Sequence, residues 1–170
     1  MKYKNILFDI GDVLVQFNQQ EIINAIFGQP LSIHMLTKEQ IKVYREQAPQ
    51  FMPALQVGVT ILHQVRERGF RTYVLSNMLE DWYQMLYRKH DFFAQFDGVV
   101  LSCRAGSAKP DLAIYQVLLK TYRLKPEECL FLDDKEDNIN AGKRLGIDGI
   151  VFKDYGHVQK TLQEYCVLGE

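Results

Sequence analysis

No arrangement of cysteines in this chain suits a disulfide framework. Cys103, Cys129 and Cys166 stand apart, none in a CxxC pair, and an odd number leaves one thiol over. Free thiols in a reducing cytoplasm are the expectation. No apolar stretch approaches the length of a membrane span. The run Ile6-Leu7-Phe8, ended by Asp9, is too short for a signal-peptide core. Charge excess is missing too. With 20 basic and 21 acidic residues the net charge is −1, which argues against nucleic acid or a membrane surface as partner. The motifs GxGxxG and GxxxxGKS/T do not occur, and Gly106 to Lys109 is too short to cradle phosphate as a P-loop does. The four histidines, His34, His63, His90 and His157, form no HExxH or other metal-binding spacing. Tyrosines and phenylalanines fall at core-like spacing rather than among basic clusters, so stacking on bases is not expected. A cytoplasmic protein, monomer or homodimer, is expected, and any phosphate-binding charge in it must be local.

What is present is ordinary globular chemistry: 170 residues, 47% hydrophobic and 24% charged. That length suits one domain with a core of useful size, spanning 1–170 without repeat or low-complexity linker. Five short apolar runs read as buried strands: Ile6 to Phe8, Thr72 to Leu75, Val99 to Leu101, Cys129 to Leu132 and Ile150 to Phe152. Helical spacing lies between most of them. Leu55, Val59, Leu62 and Val65 form one stripe, with Gly69 as its stop. Trp82, Met85 and Leu86 form a second. Ile114, Val117, Leu118 and Thr121 form a third, with Pro110 placed to start it. Gly146 is placed to close a helix from about Asn138, and a last helix is expected over Val158 to Tyr165. Alternating continuous apolar strands and helices predict an α/β fold with a parallel sheet covered on both faces. The exception is about 17–53, where stretches around Glu21 to Phe27 and Thr37 to Gln47 look helical with no strand between them. This segment reads as a small helical insertion after the first strand.

Ligands of open parallel sheets bind beyond the carboxyl ends of the strands. The first run ends in Asp9, the second in Ser76-Asn77 and the fourth in Asp133-Asp134, while the loop after the third carries Lys109. Each residue alone has a plain explanation. Asp9 suits a turn, Ser76-Asn77 and Asp133-Asp134 suit helix caps, and Lys109 suits a solvated loop. Together they put carboxylates, a hydroxyl, an amide and an ammonium at one sheet edge. Such a set can hold a hard divalent cation and a phosphoryl group at once.

These segments resemble the motifs of the haloacid dehalogenase superfamily. Phe8 to Val15 (Phe-Asp-Ile-Gly-Asp-Val-Leu-Val) looks like its first motif and Leu75-Ser76-Asn77 like its second. Lys109-Pro110-Asp111, with Ile114-Tyr115, looks like the third. Phe131-Leu132-Asp133-Asp134, with Asn138, Ala141 and Leu145-Gly146, looks like the fourth. The match is closest to the branch with an Asp-x-Gly-x-Val first motif, which includes sugar-phosphate phosphatases and the N-terminal phosphatase domains of some epoxide hydrolases. The resemblance implies a Rossmann-like core, with the insertion as a reduced helical cap, and hydrolysis of a small phosphorylated metabolite in two steps. Asp9 would be the nucleophile that forms an aspartyl-phosphate. Mg2+ would be held by Asp9, the backbone carbonyl of Gly11 and Asp134. Ser76 and Lys109 would bind the phosphoryl group, Asn77 would shape the loop there, and Asp133 and Asn138 would orient the metal ligand and its loop.

Two departures from the family pattern matter. Most phosphatases of the superfamily have a second Asp two residues after the nucleophile, as acid and base. Here that residue is Gly11, and Asp12 comes one position later, where a tight turn points its side chain elsewhere. A missing acid/base costs about 10²–10⁴-fold in rate. Leaving groups of low basicity suffer least, which favours sugar-1-phosphate-like or other activated phosphates. The insertion is also short, which makes Tyr44, Phe51 and His34-Met35-Leu36 candidates for the entrance, beside their plainer role in packing a helical hairpin. A catalytically impaired phosphate-binding or regulatory protein is the alternative. A 2-haloacid dehalogenase is the lesser one, because that chemistry needs no metal and leaves Asp133-Asp134 unexplained.

Overall fold

The computed structural model describes residues 2–153 and 155–169. Among these residues five strands form one sheet: β1 (Asn5–Phe8), β2 (Arg71–Ser76), β3 (Gly98–Leu101), β4 (Cys129–Asp133) and β5 (Asp148–Val151). Their order is β3-β2-β1-β4-β5, and every pairing is parallel. The helices are α1 (Gln19–Phe27), α2 (Lys38–Gln47), α3 (Gln56–Glu67), α4 (Glu80–Lys89), α5 (Ser102–Ala105), α6 (Leu112–Tyr122), α7 (Glu136–Lys143) and α8 (Tyr155–Glu164).

Side chains of a strand alternate between faces, so a sheet covered on both sides needs apolar residues at every position. β1 shows this. Ile6 and Phe8 join Leu62 of α3, Leu86 of α4 and Val158 and Leu162 of α8 on one face. Leu7 joins Ile114 and Leu118 of α6 and Ile139 of α7 on the other. The result is the three-layer α/β arrangement expected from the alternation.

Several boundaries differ from the sequence expectation. Helix α6 begins at Leu112 rather than at Pro110, because the Asp111 carboxylate caps it by accepting from Ala113 N at 3.0 Å. Helix α7 begins two residues before Asn138, and α8 begins at Tyr155 rather than Val158. Strand β5 ends at Val151, one residue short of the apolar run.

Both expected helices of the 17–53 segment form. Asn18 caps α1, and Thr37 with Gln40 makes a reciprocal capping box on α2. The base of the segment is closed by backbone pairing: Gln16 N donates to Pro53 O and Leu55 N to Leu14 O. Helix α3 then seats against the loop after β1. A Cβ on Gly58 would lie 1.7 Å from Val13 O, so only glycine permits this approach.

Candidate active site

Register decides which strand ends meet. Phe8 sits beside Val74 of β2 and Leu132 of β4. The next residue, Asp9, extends the ladder by donating its N–H to Leu132 O at 2.9 Å. Asp9 therefore emerges beside Asp133-Asp134, between the two directions in which the strand order grows from β1. Ligands of such sheets bind at that switch.

Asp9 is 8% exposed. Its Oδ1 accepts from Ile10 N at 2.7 Å and lies 2.9 Å from Lys109 Nζ. Lys109 has a side chain only 1% exposed, and its ammonium is fully engaged. Nζ also donates to Asp133 Oδ2 at 2.6 Å and to Leu75 O at 2.8 Å. An ammonium has three N–H bonds, and three acceptors surround this one. Asn77 fixes the Lys109 backbone: its Nδ2 donates to Lys109 O at 2.9 Å, and its Oδ1 accepts from Lys109 N at 2.8 Å. Ser76 is buried at the end of β2 and lines the same cavity.

Asp133 is wholly buried and its second oxygen is also taken, accepting from Lys135 N at 2.9 Å and Asn138 Nδ2 at 2.8 Å. Burial and then the Asp9 carboxylate push the Asp133 carboxyl up, against the pull of Lys109. Asn138 is itself held by Tyr115, whose hydroxyl donates to Asn138 O at 2.7 Å. Asp134 is half-buried and faces the cavity. Burial first, then Asp9 and Asp133, raise its carboxyl to about 6.

Asp9, Asp133 and Asp134 each place a carboxylate oxygen within 4.8 Å of the others. Three clustered carboxylates, two of them paired with the Lys109 ammonium, make an oxygen-rich site that suits a divalent cation. Both Asp133 oxygens are already committed, so Asp9 and Asp134 are the carboxylates left to hold it. Gly11 lines the cavity beside them. Asp12 reaches the rim, but its Oδ1 accepts from Phe17 N at 2.9 Å and its φ is +53°. The turn after Gly11 thus uses Asp12 to close its own loop.

All eight sequence-derived candidates, Asp9, Gly11, Ser76, Asn77, Lys109, Asp133, Asp134 and Asn138, converge on this strand edge. The proposed entrance residues do not. Tyr44 stands behind Trp82, ring centroids 5.9 Å apart. Phe51 lines a separate groove with Gln16 and Asn18. Met35 is among the most exposed apolar side chains described and does not line the cavity, nor do His34 and Leu36. The cavity, about 200 Å³, is instead lined, besides its polar residues, by Phe17, Met52, Met78, Leu79 and Trp82. Sequence reasoning missed this wall. Met78 and Leu79 directly follow Ser76-Asn77, which was the available signal, whereas Trp82 read as one member of a helix stripe.

The family model of haloacid dehalogenase-like hydrolases matches residues 58–146, more than half of the chain. A bifunctional epoxide hydrolase 2 from Sus scrofa is 33% identical over 116 residues, 66% of this chain and 20% of that one. A sesquiterpene phosphatase from Aspergillus oryzae is 30% identical over 95 residues, 56% of this chain and 48% of that one. The chain thus spans between a fifth and a half of these curated relatives. Among solved structures, a HAD-family enzyme from Bacteroides thetaiotaomicron, in complex with magnesium and inorganic phosphate, has a TM-score of 0.69 at 22% identity, covering 92% of this chain and 98% of that one. The ordered strand-end residues, the fold and the family match agree: the chain belongs to the haloacid dehalogenase-like hydrolases.

Proposed function

We propose that this hydrolase is a magnesium-dependent phosphatase acting on a small phosphate monoester through Asp9. The observation that carries the reading is Lys109, a buried ammonium held against Asp9 and Asp133 at once, which puts positive charge beside the carboxylate that would meet the phosphoryl group. A carboxylate oxygen of Asp9 attacks phosphorus as the bond to the leaving oxygen breaks, and that oxygen takes up a proton from solvent water. Water then attacks the aspartyl-phosphate, releases inorganic phosphate and restores the carboxylate. Lys109 neutralises developing phosphoryl charge, and the Ser76 hydroxyl donates to a phosphoryl oxygen. Asp133 and Asn138 hold Lys109 and the loop that carries Asp134. Asp9, the Gly11 carbonyl and Asp134 would hold Mg2+, which offsets the repulsion between carboxylate and phosphate. The phosphatase among the relatives and the magnesium and phosphate bound by the structural neighbour support the reading.

One observation favours a second reading, an impaired phosphate-binding protein. Gly11 offers no acid, and Asp12 is tied to Phe17 N. Turnover of a panel of phosphate esters with Mg2+ separates the two. Activity lost in Asp9→Asn and on chelation supports the phosphatase. Phosphate binding without turnover supports the alternative. Turnover untouched by chelation overturns the metal-dependent mechanism.

A further inference from the structure

The lining of the cavity over Asp9 is of two chemical kinds. Asp9, Asp12, Lys109, Asp134 and Lys135 are charged, and Ser76, Asn77 and Asn138 are polar. The rest, Gly11 apart, is hydrocarbon from three separate stretches: Phe17 after β1, Met52 before α3, and Met78, Leu79 and Trp82 around the start of α4. Trp82 keeps no polar atom for a ligand, because its Nε1 donates to Arg45 O at 2.8 Å. Its ring is braced by Tyr44 at 5.9 Å and stands 6.1 Å from that of Phe17. Met52 is anchored from behind, its carbonyl 3.2 Å from Lys89 Nζ and 3.0 Å from His90 Nε2. The wall is therefore built and held, not a chance exposure.

A polyhydroxylated group packed against these five side chains would turn hydroxyls toward carbon there, which is unfavourable. The cavity is small, about 200 Å³ against the roughly 300–1,000 Å³ of pockets that take drug-sized ligands, so the group held against this wall is small. The phosphoryl group takes the charged end. We propose that the group esterified to phosphate is uncharged, apolar and about the size of one ring, in place of the sugar expected from the sequence. The inference rests on the phosphatase reading of Asp9.

Benzyl phosphate and glucose 6-phosphate test it. Both release a primary alkoxide attached to a six-membered ring, so they differ mainly in the hydroxyls that one carries. The expected result is a kcat/KM higher for benzyl phosphate by on the order of tenfold or more, chiefly through KM. Leu79→Gln and Phe17→Gln should move that ratio toward one. Leu79 is 39% exposed and Phe17 half-buried, so a polar side chain at either leaves the fold intact. Equal or better turnover of glucose 6-phosphate by the unaltered protein overturns the inference and leaves the phosphatase reading standing. So does a preference that neither substitution moves. If neither ester nor acetyl phosphate is hydrolysed with Mg2+, the phosphatase reading falls and the inference with it.

Discussion

Asn77 and Lys109 close a two-bond ring, the amide of one against the backbone N–H and C=O of the other, at 2.8 and 2.9 Å. The side chain of Lys109 is aimed by its own ion pairs, but the position of its backbone is set by this ring. Asn77→Ala removes both bonds and leaves a part-buried N–H and C=O unpaired, at a cost of about 1–3 kcal/mol. A displaced Lys109 then misplaces the phosphoryl group, for which roughly 10²-fold in rate is expected. Steady-state kinetics should show kcat falling more than KM rises. A rise in KM alone would mean that Asn77 holds the substrate directly.

Lys109 also bears on stability. Among the described residues its ammonium is the one cation that pairs with the buried carboxylates of Asp9 and Asp133. Removing one partner of a buried ion pair leaves an uncompensated charge and costs about 3–5 kcal/mol. Lys109→Met should therefore abolish turnover and lower the denaturant midpoint together. Adding Asp133→Asn to Lys109→Met should recover part of the stability and none of the activity. A single variant as stable as the parent would show that the cluster is already protonated or hydrated.

The polar half of this site was legible because most of its residues end or follow an apolar run, and a parallel sheet brings such ends to one edge. Asp9, Ser76 and Asp133-Asp134 needed no tertiary information beyond that rule. The apolar half was not legible. Phe17 and Met52 reach the cavity only because Gln16 pairs with Pro53 at the base of the insertion, a contact across 37 residues that no local pattern encodes. Trp82 has helical spacing like any core residue, and only its N–H bond to Arg45 O in α2 shows which way the ring faces. The hydroxyl of Tyr115 reaches Asn138 O by the same kind of long-range packing. Helix starts failed for a local reason: the Asp111 side chain competes with Pro110 to begin α6, and the cap prevailed.

Gly58 links the fold to the site. It lies inside α3, where glycine is unfavourable by roughly 1 kcal/mol against alanine. Gly58→Ala gains that propensity but drives a methyl into Val13 O. Backbone cannot yield as a side chain does, so α3 or the loop from Asp9 to Val15 must shift. A net loss of about 1–3 kcal/mol is expected, with reduced turnover, since the displaced loop carries Gly11. Thermal unfolding and kinetics on one preparation check both. A variant more stable than the parent would mean that the helix seats less closely than 1.7 Å implies.

Asp134 ties metal, pH and stability together. Its carboxyl, raised to about 6 by burial and by Asp9 and Asp133, binds a proton more tightly in the metal-free fold than in the unfolded chain. An unfolded Asp titrates near 3.9. Its contribution to stability is therefore fully present below about pH 4, and it is lost as pH rises toward 6. Asp134→Asn removes that loss, so the metal-free variant should melt higher than the parent above pH 6, the gap closing as pH falls toward 4. Mg2+ held by the ionised Asp134 would offset that loss in the parent, so its addition at pH 7–8 should raise the parent's melting temperature and leave the variant's unchanged. The metal's effect on the parent should fade below pH 6 as protons compete for Asp134. Melting curves at pH 5 and pH 8, with Mg2+ and with chelator, read all of these. An equal Mg2+ shift in both proteins would remove Asp134 from the metal site and leave Asp9 without its partner ligand.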